Sequence, residues 1–183
     1  MNSQEANVSV FLNRIYRASK LDANLYEEVE SDTNALKQAM AIVVLSSFAA
    51  GIGTIKTGGA SGILFGTLVA LIGWYIWAFL TYVIGTKILP EPQTSSSHSE
   101  LLRTIGFSSS PGLLRIFGIF PGITEILFLG TSIWMLVAMV IAVRQALDYK
   151  STFRAVGVCL VGWVFQIIVL LILFFLFGRI LTS

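Results

Sequence analysis

Charged side chains are scarce in this sequence. Only 12 Lys and Arg and 10 Asp and Glu occur among 183 residues, which is 12%, whereas soluble globular chains carry roughly 25%. Hydrophobic residues make up 55% before the 16 glycines are added. So few charges cannot cover a soluble core of this size, and the composition therefore predicts a protein of the lipid bilayer.

Cysteine and histidine are nearly absent as well. The single Cys159 excludes disulfides within the chain and thiolate metal clusters, and the single His98 excludes a multi-histidine metal site. The net charge of +2, with basic residues scattered singly, offers no stripe for a nucleic-acid backbone. No serine, histidine and carboxylate are spaced as a triad, and no phosphate-binding glycine loop is present. We therefore expect no enzyme, no cofactor, no metal site and no nucleic-acid partner.

Long uncharged runs are abundant. A hydrocarbon core about 30 Å thick needs roughly 20 helical residues. Four runs meet or approach this length: residues 39–55, 57–86, 126–143 and 155–178.

The segment 100–122 is ambiguous, because Arg103, Arg115 and Pro111 interrupt it. If this segment crosses the membrane with the N-terminus inside, nine Lys and Arg residues face the cytoplasm and two face the outside. If the segment instead lies on the cytoplasmic face, eight face the cytoplasm and four face the outside. Cytoplasmic loops retain positive charge, so the first arrangement is favoured. The sequence thus predicts an all-α integral membrane bundle of five transmembrane helices in a domain 36–183. The spans are about 36–55, 60–86, 101–120, 122–143 and 155–178, the third short or broken at Pro111. The serine hydroxyls at 108–110 are expected to satisfy the backbone groups that the break leaves free.

Residues 1–35 form a different region, with apolar residues at helical spacing. Val8, Phe11, Leu12, Ile15 and Ala18 follow that spacing, and Leu21, Leu25 and Val29 continue it after a small phase shift; Arg14, Arg17 and Lys20 lie on or near the other side. The pattern predicts an amphipathic helix at the cytoplasmic interface. An exposed helix that packs on the loops is the alternative.

Two charged residues flank a predicted turn at Pro121 and Gly122. Arg115 precedes the turn and Glu125 follows it, at offsets that place both side chains at similar depth. We expect an ion pair between Arg115 and Glu125. The alternative makes Glu125 a proton or cation site.

Three further residues are candidates for helix packing. Gly62 and Gly66 form a G-x-x-x-G, a spacing that lets helix backbones approach closely. Gln166 lies near the middle of the last span, where an amide can bond across helices.

Charged residues at the cytoplasmic side form a candidate docking surface. Glu27 and Glu28 lie in an acidic patch before the first span, and Arg144, Lys150 and Arg154 lie in the loop before the last one. Partner proteins or anionic lipid headgroups are the expected ligands.

Four passages resemble the bacterial branch of the Yip family, the Ypt/Rab-interacting membrane proteins. They read YEEVESDTNALKQA, WAFLTYVIGTKIL, ELLRTIGFSSSPGLLRIFG and VAMVIAVRQALDYKSTFRAV, and the resemblance covers roughly residues 26–178. It implies a cytoplasmic N-terminus followed by five spans. Eukaryotic members are implicated in Rab GTPase binding and in vesicle budding or organelle shaping.

The sequence is therefore interpreted as a non-enzymatic membrane scaffold or interaction module of a bacterial cytoplasmic membrane, with the N-terminus inside and the C-terminus outside. Its expected partners are the bilayer, other membrane proteins or anionic headgroups; a homo-oligomer has no sequence support. The alternative is a small permease or channel subunit with a polar route near Glu125 and Gln166.

Overall fold

A computed structural model describes the chain from residue 3 to residue 181, with side chains at residues 5, 7–56, 59 and 62–168. Within these residues the chain is helical and contains no strand, so the predicted all-α class is confirmed. The helices are α1 (Ser3–Ser19), α2 (Ala23–Ser31), α3 (Ala35–Gly53), α4 (Ile55–Val83), a π-helical turn (Ile84–Ile88), α5 (His98–Phe107), a 3-10 helix (Ser110–Ile119), α6 (Thr124–Ala146) and α7 (Thr152–Leu181).

The bundle has two ends. At the proximal end, defined by α2, the 89–97 linker and the α6–α7 turn, Gln145 Nε2 donates to Glu27 Oε1 at 2.5 Å and Gln93 Nε2 to the Asp148 carbonyl at 3.0 Å. At the distal end, defined by the α3–α4 turn and residues 120–123, Gly118 packs on the backbone of Gly53. Gly122 has φ +86°, a conformation that favours glycine, and it forms the turn that the sequence predicts there.

Helix α5 lies at the centre of the proximal half. Every residue from 101 to 108 is buried. A capping box starts the helix, because Ser97 Oγ accepts from the Glu100 amide while the Glu100 carboxylate accepts from the Ser97 amide. A Cβ added to Gly106 would lie 2.7 Å from Ala39 Cβ, so this glycine allows α5 to pack tightly on α3.

The helix break predicted near Pro111 is present. Proline has no N–H, so the carbonyl four residues earlier, at Phe107, loses its helical donor. Ser110 Oγ donates to that carbonyl at 2.7 Å, and Ser108 Oγ donates to the Ile105 carbonyl at the same distance. The predicted serine compensation is therefore confirmed at these two positions. The chain continues as the 3-10 helix, which packs between α3 and α6.

Three of the described helices are long and apolar enough to cross a membrane, by length and composition: Ala35–Gly53, Gly62–Ile88 and Thr124–Ala146. The part of α7 whose side chains are described, Thr152–Ile168, is a shorter apolar helix. Large apolar side chains cover the outer faces of α4 and α6; Phe65 is 70% exposed and Ile126 is 76% exposed. These features indicate a membrane protein.

The N-terminal region contains two helices instead of one. Leu21 takes φ 62° and Asp22 caps α2, with its side chain accepting from the Asn24 amide at 3.0 Å. This break explains the phase shift of the apolar residues in the sequence. Ala18, Leu25, Tyr26 and Val29 join Phe107 of α5 in one buried cluster.

Candidate functional site

Arg14 joins the first three helices. Its side chain donates from Nε to Glu28 Oε1 at 2.8 Å and from Nη1 to Gln38 Oε1 at 2.8 Å, and Nη2 lies 2.9 Å from Asp32 Oδ2. The residue is buried, whereas the sequence pattern placed it on the polar outer side of α1. Three acceptors on α2, α3 and the loop between them account for this inward position, since a buried guanidinium requires such partners.

Arg17 adds a second pair of ionic contacts between α1 and α2. Its Nε lies 2.7 Å from Asp22 Oδ2, and its Nη1 lies 2.5 Å from Glu28 Oε2. The hydrogen bond from Arg17 lowers the pKa of Asp22. Desolvation raises the pKa of Glu28, but the hydrogen bonds from Arg17 and Arg14 outweigh it, and the net shift is downward.

Arg103 attaches α5 to the C-terminal end of α2. Its Nε donates to the Val29 carbonyl at 2.9 Å, its Nη2 to the Glu30 carbonyl, and its Nη1 to Ser99 Oγ at 2.7 Å. The last carbonyls of a helix lack intrahelical donors and carry partial negative charge, so a cation is stabilising there. In the sequence Arg103 is visible only as one of the basic residues that indicate topology, and no motif there signals this role.

Glu30 lies beside Arg103 in an acidic environment. Burial first, and then the negative charges of Asp148, Glu100 and Glu27, raise the pKa of its carboxyl to about 8, while Arg103 opposes them. The carboxyl is therefore largely protonated at neutral pH.

The residues predicted as a docking surface are brought together at the proximal end, mostly in contacts within the chain. Glu27 accepts from Gln145, and Glu28 pairs with both Arg14 and Arg17. Arg144 Nε donates to the Tyr149 carbonyl at 3.2 Å, and Arg154 Nη1 to the Pro90 carbonyl at 2.9 Å. The Lys150 side chain is exposed. The contacts of Glu27, Arg144 and Arg154 hold the α6–α7 turn against α2 and the linker.

Glu91 and Tyr149 hold the linker to the same turn. The Glu91 carboxylate accepts from the backbone amide of Lys150 at 2.9 Å, and its pKa is lowered chiefly by this bond. The buried Tyr149 hydroxyl lies 2.9 Å from the Gly85 carbonyl and 2.6 Å from that of Leu89. Burial raises the pKa of Tyr149 to about 12. The passage ALDYKSTFRA thus contains a structural contact with the π-helical turn that follows α4.

A cavity of about 640 Å³ lies between α3, α4, the 3-10 helix, α6 and α7. One wall is a stripe of small residues on α4, and Gln166 of α7 also lines the cavity. The stripe consists of Gly62, Gly66, Ala70 and Gly73. No described atom lies within 4 Å of a Cβ built on Gly62 or Gly66, so neither forms a close helix contact among the described residues. Among the described side chains these two glycines border open space, and their role in helix packing stays a prediction.

Arg115 lies at the distal end of this cavity. Its Nε donates to Thr131 Oγ1 at 3.0 Å and its Nη2 to Ser132 Oγ at 2.7 Å, and its guanidinium carbon is 5.1 Å from the centroid of the Phe128 ring. Among the described side chains no ion pair joins Arg115 to Glu125, whose side chain is exposed in the first turn of α6. Hydroxyls about two turns further along α6 bind the guanidinium in its place.

No group of three or more histidine, cysteine or acidic side chains in the described part of the chain is arranged to hold a metal ion. Comparisons of the chain with protein-family models, with curated proteins and with solved structures gave no match.

Proposed function

We propose that the protein is a five-span, Yip-type integral protein of the cell membrane that acts without catalysis as a scaffold or interaction module. Its N-terminus is cytoplasmic and its C-terminus is outside. Helix α1 lies as an amphipathic helix in the cytoplasmic leaflet, and the bundle anchors it there.

The dimensions of α5 and the 3-10 helix support a third span. Ten α-helical residues rise about 15 Å and ten 3-10 residues about 20 Å, which together match a hydrocarbon core of about 30 Å. The two helices lead from the proximal end to the distal end, where Gly53 packs on the Arg115 backbone. We count this path as the third of five spans, with α3, α4, α6 and α7 as the others.

The charge distribution supports the orientation. The proximal end carries most of the basic residues, which are characteristic of the cytoplasmic side. They are Arg14, Arg17, Lys20, Lys37, Lys87, Arg103, Arg144, Lys150 and Arg154.

The observation that carries the scaffold proposal is an exposed apolar row on α1. Val8, Leu12 and Tyr16 follow one another at four-residue spacing and are 54%, 58% and 57% exposed, while Arg14 is buried. An apolar row that no other part of the described chain covers is the surface expected for contact with a membrane interface. The contacts of Arg14 and Arg17 fix α1 relative to the spans.

Site-specific fluorescence tests the position of α1. Because Cys159 is the only cysteine, a Cys159→Ala background accepts a single new cysteine for an environment-sensitive dye. We expect a blue-shifted dye at Leu12→Cys and a water-like spectrum at Asn13→Cys, a neighbouring exposed position. Water-like spectra at both positions would contradict insertion of α1.

Membrane tubes pulled from giant vesicles test the scaffold role. With the N-terminus on the outer leaflet, insertion of α1 should enrich the protein in the curved tube. The Val8→Ser, Leu12→Ser double variant should lose this enrichment while the spans remain inserted. Equal enrichment of the parent and the double variant would remove α1 from the mechanism.

The cavity favours a second candidate, a small permease or channel subunit. Gln166 and Arg115 line the cavity, whereas Glu125 is not among its lining residues. Flux through reconstituted vesicles, with Gln166→Leu and Glu125→Gln compared, tests this candidate. A flux that Gln166→Leu abolishes would favour a permease over a scaffold.

A further inference from the structure

The cavity has the size of a ligand site. Its volume of about 640 Å³ falls within the roughly 300–1,000 Å³ of small-molecule pockets. Along α4 the wall extends from Gly62 to Trp77, which corresponds to about 22 Å of helix. A volume of about 640 Å³ spread over this length makes the cavity long and narrow, a shape that suits an alkyl chain.

The distal end of the cavity is cationic. A guanidinium has five N–H donors, and Arg115 uses two of them on Thr131 and Ser132. No carboxylate lines the described part of the cavity wall, so nothing there neutralises this charge. An anionic oxygen group, such as a phosphate, matches the planar donor arrangement of arginine.

The rest of the wall is largely apolar. Trp74, Trp77 and Met139 line it opposite the distal charge. The buried indole N–H of Trp77 has no hydrogen-bond partner among the described residues, although such a donor is usually paired when buried. The cavity thus combines a positively charged end with a largely apolar wall. A ligand that fits it needs both an anionic group and an apolar chain.

We propose that the cavity binds an anionic membrane lipid, with its phosphate at Arg115 and an acyl chain along the small-residue stripe of α4. A cation would find no carboxylate, and a small soluble anion would leave the apolar length of the cavity unfilled. A zwitterionic headgroup would bring a positive charge that has no partner on the described wall. The proposal requires only that the bundle lies in a bilayer; it does not depend on the scaffold role of α1.

Tryptophan quenching by brominated lipids tests the site. Trp134 is exposed and does not line the cavity, so Trp134→Phe removes its emission. The three remaining tryptophans, Trp74, Trp77 and Trp163, all line the cavity and report on it. The protein is reconstituted in unlabelled phosphatidylcholine with a small fraction of brominated phosphatidylglycerol or brominated phosphatidylcholine. We expect stronger quenching by the anionic lipid, and equal quenching by both would overturn the proposal.

Arg115→Gln removes the positive charge from the site. Its preference for the anionic lipid should fall about tenfold, because a charge-assisted hydrogen bond contributes on this scale. Lys56→Gln removes an equal charge at the same end of the bundle, where the Lys56 side chain is exposed and does not line the cavity. An equal loss in both variants would indicate bulk electrostatics and refute the site. Arg115→Lys should retain part of the preference and guards against misfolding of the glutamine variant.

Gly66→Leu fills the cavity without removing charge. Because the space at Gly66 is open, the side chain should be tolerated and should reduce quenching by the anionic lipid. Gly130→Leu is the matched control, since Gly130 also faces open space but does not line the cavity. Unchanged quenching in Gly66→Leu would contradict the proposal. Displacement of the brominated lipid by soluble glycerol phosphate would assign the site to free anions and would also overturn it.

Discussion

The guanidinium of Arg103 lies 2.9 Å from the carbonyl oxygen of Val29, which it reaches across 74 positions of sequence. Through this bond the central helix α5 caps the last turn of α2. The N-terminal region is thereby attached to the bundle by polar contacts as well as by apolar packing.

Replacing Arg103 with methionine should destabilise this attachment. The carbonyls of Val29 and Glu30 would lose a charged donor in a buried setting, at a cost of about 2–3 kcal/mol. Hydrogen exchange should report faster opening of α2 and a lower free energy of unfolding. Lys150→Met, at an exposed lysine, is the control and should leave both quantities unchanged.

Stability should fall as the pH rises through the pKa of Glu30. The folded-state pKa of about 8 lies above its ordinary value of 4.5, so protonation stabilises the folded state. This stabilisation is complete below the ordinary value and is lost as the pH approaches and passes about 8. Thermal unfolding followed across this range should show the loss in the parent. Glu30→Gln should flatten the profile, and a parent-like profile in that variant would place the titration elsewhere.

Ser110 and Pro111 should show energetic coupling. Ser110→Ala removes the bond to the Phe107 carbonyl and should lower the free energy of unfolding by about 1 kcal/mol. In a Pro111→Ala background the restored backbone amide can donate to the same carbonyl. The loss of unfolding free energy caused by Ser110→Ala should therefore be smaller there. A double-mutant cycle measures the difference. Additive losses would mean that the hydroxyl does not replace the missing donor.

Arg115 and Glu125 should behave independently. Because Arg115 binds Thr131 and Ser132, Glu125→Gln should change stability little and Arg115→Gln more. The double variant should equal the sum of the single variants within about 0.5 kcal/mol. A larger coupling energy would restore the ion pair expected from the sequence.

The helical class, the long apolar helices and the break at Pro111 could be predicted because each depends on local composition or on the chemistry of one residue. The direction of Arg14 could not, since its position depends on Gln38 and Asp32, whose proximity arises only from the tertiary fold. A helical wheel assigns every arginine to the solvent side. It cannot show that Glu28, Asp32 and Gln38 lie on the inner side and accept hydrogen bonds from Arg14.

The candidate sites illustrate the same limit. The spacing of Gly62 and Gly66 is visible in sequence, but whether a small-residue face receives another helix or leaves a cavity depends on the positions of α3, α6 and α7. Similarly, the charge and depth of Glu125 predicted an ion pair, whereas the hydroxyls of Thr131 and Ser132 carried no signal that marks them as partners of Arg115.

The contact between Arg103 and Val29 also orders events during synthesis. Helix α2 leaves the ribosome long before α5. The final turn of α2 therefore lacks its cap until Arg103 has emerged and α5 has docked. Docking of the mid-chain segment would then complete the proximal end, and a nascent chain stalled ahead of that segment would expose α2 to proteases.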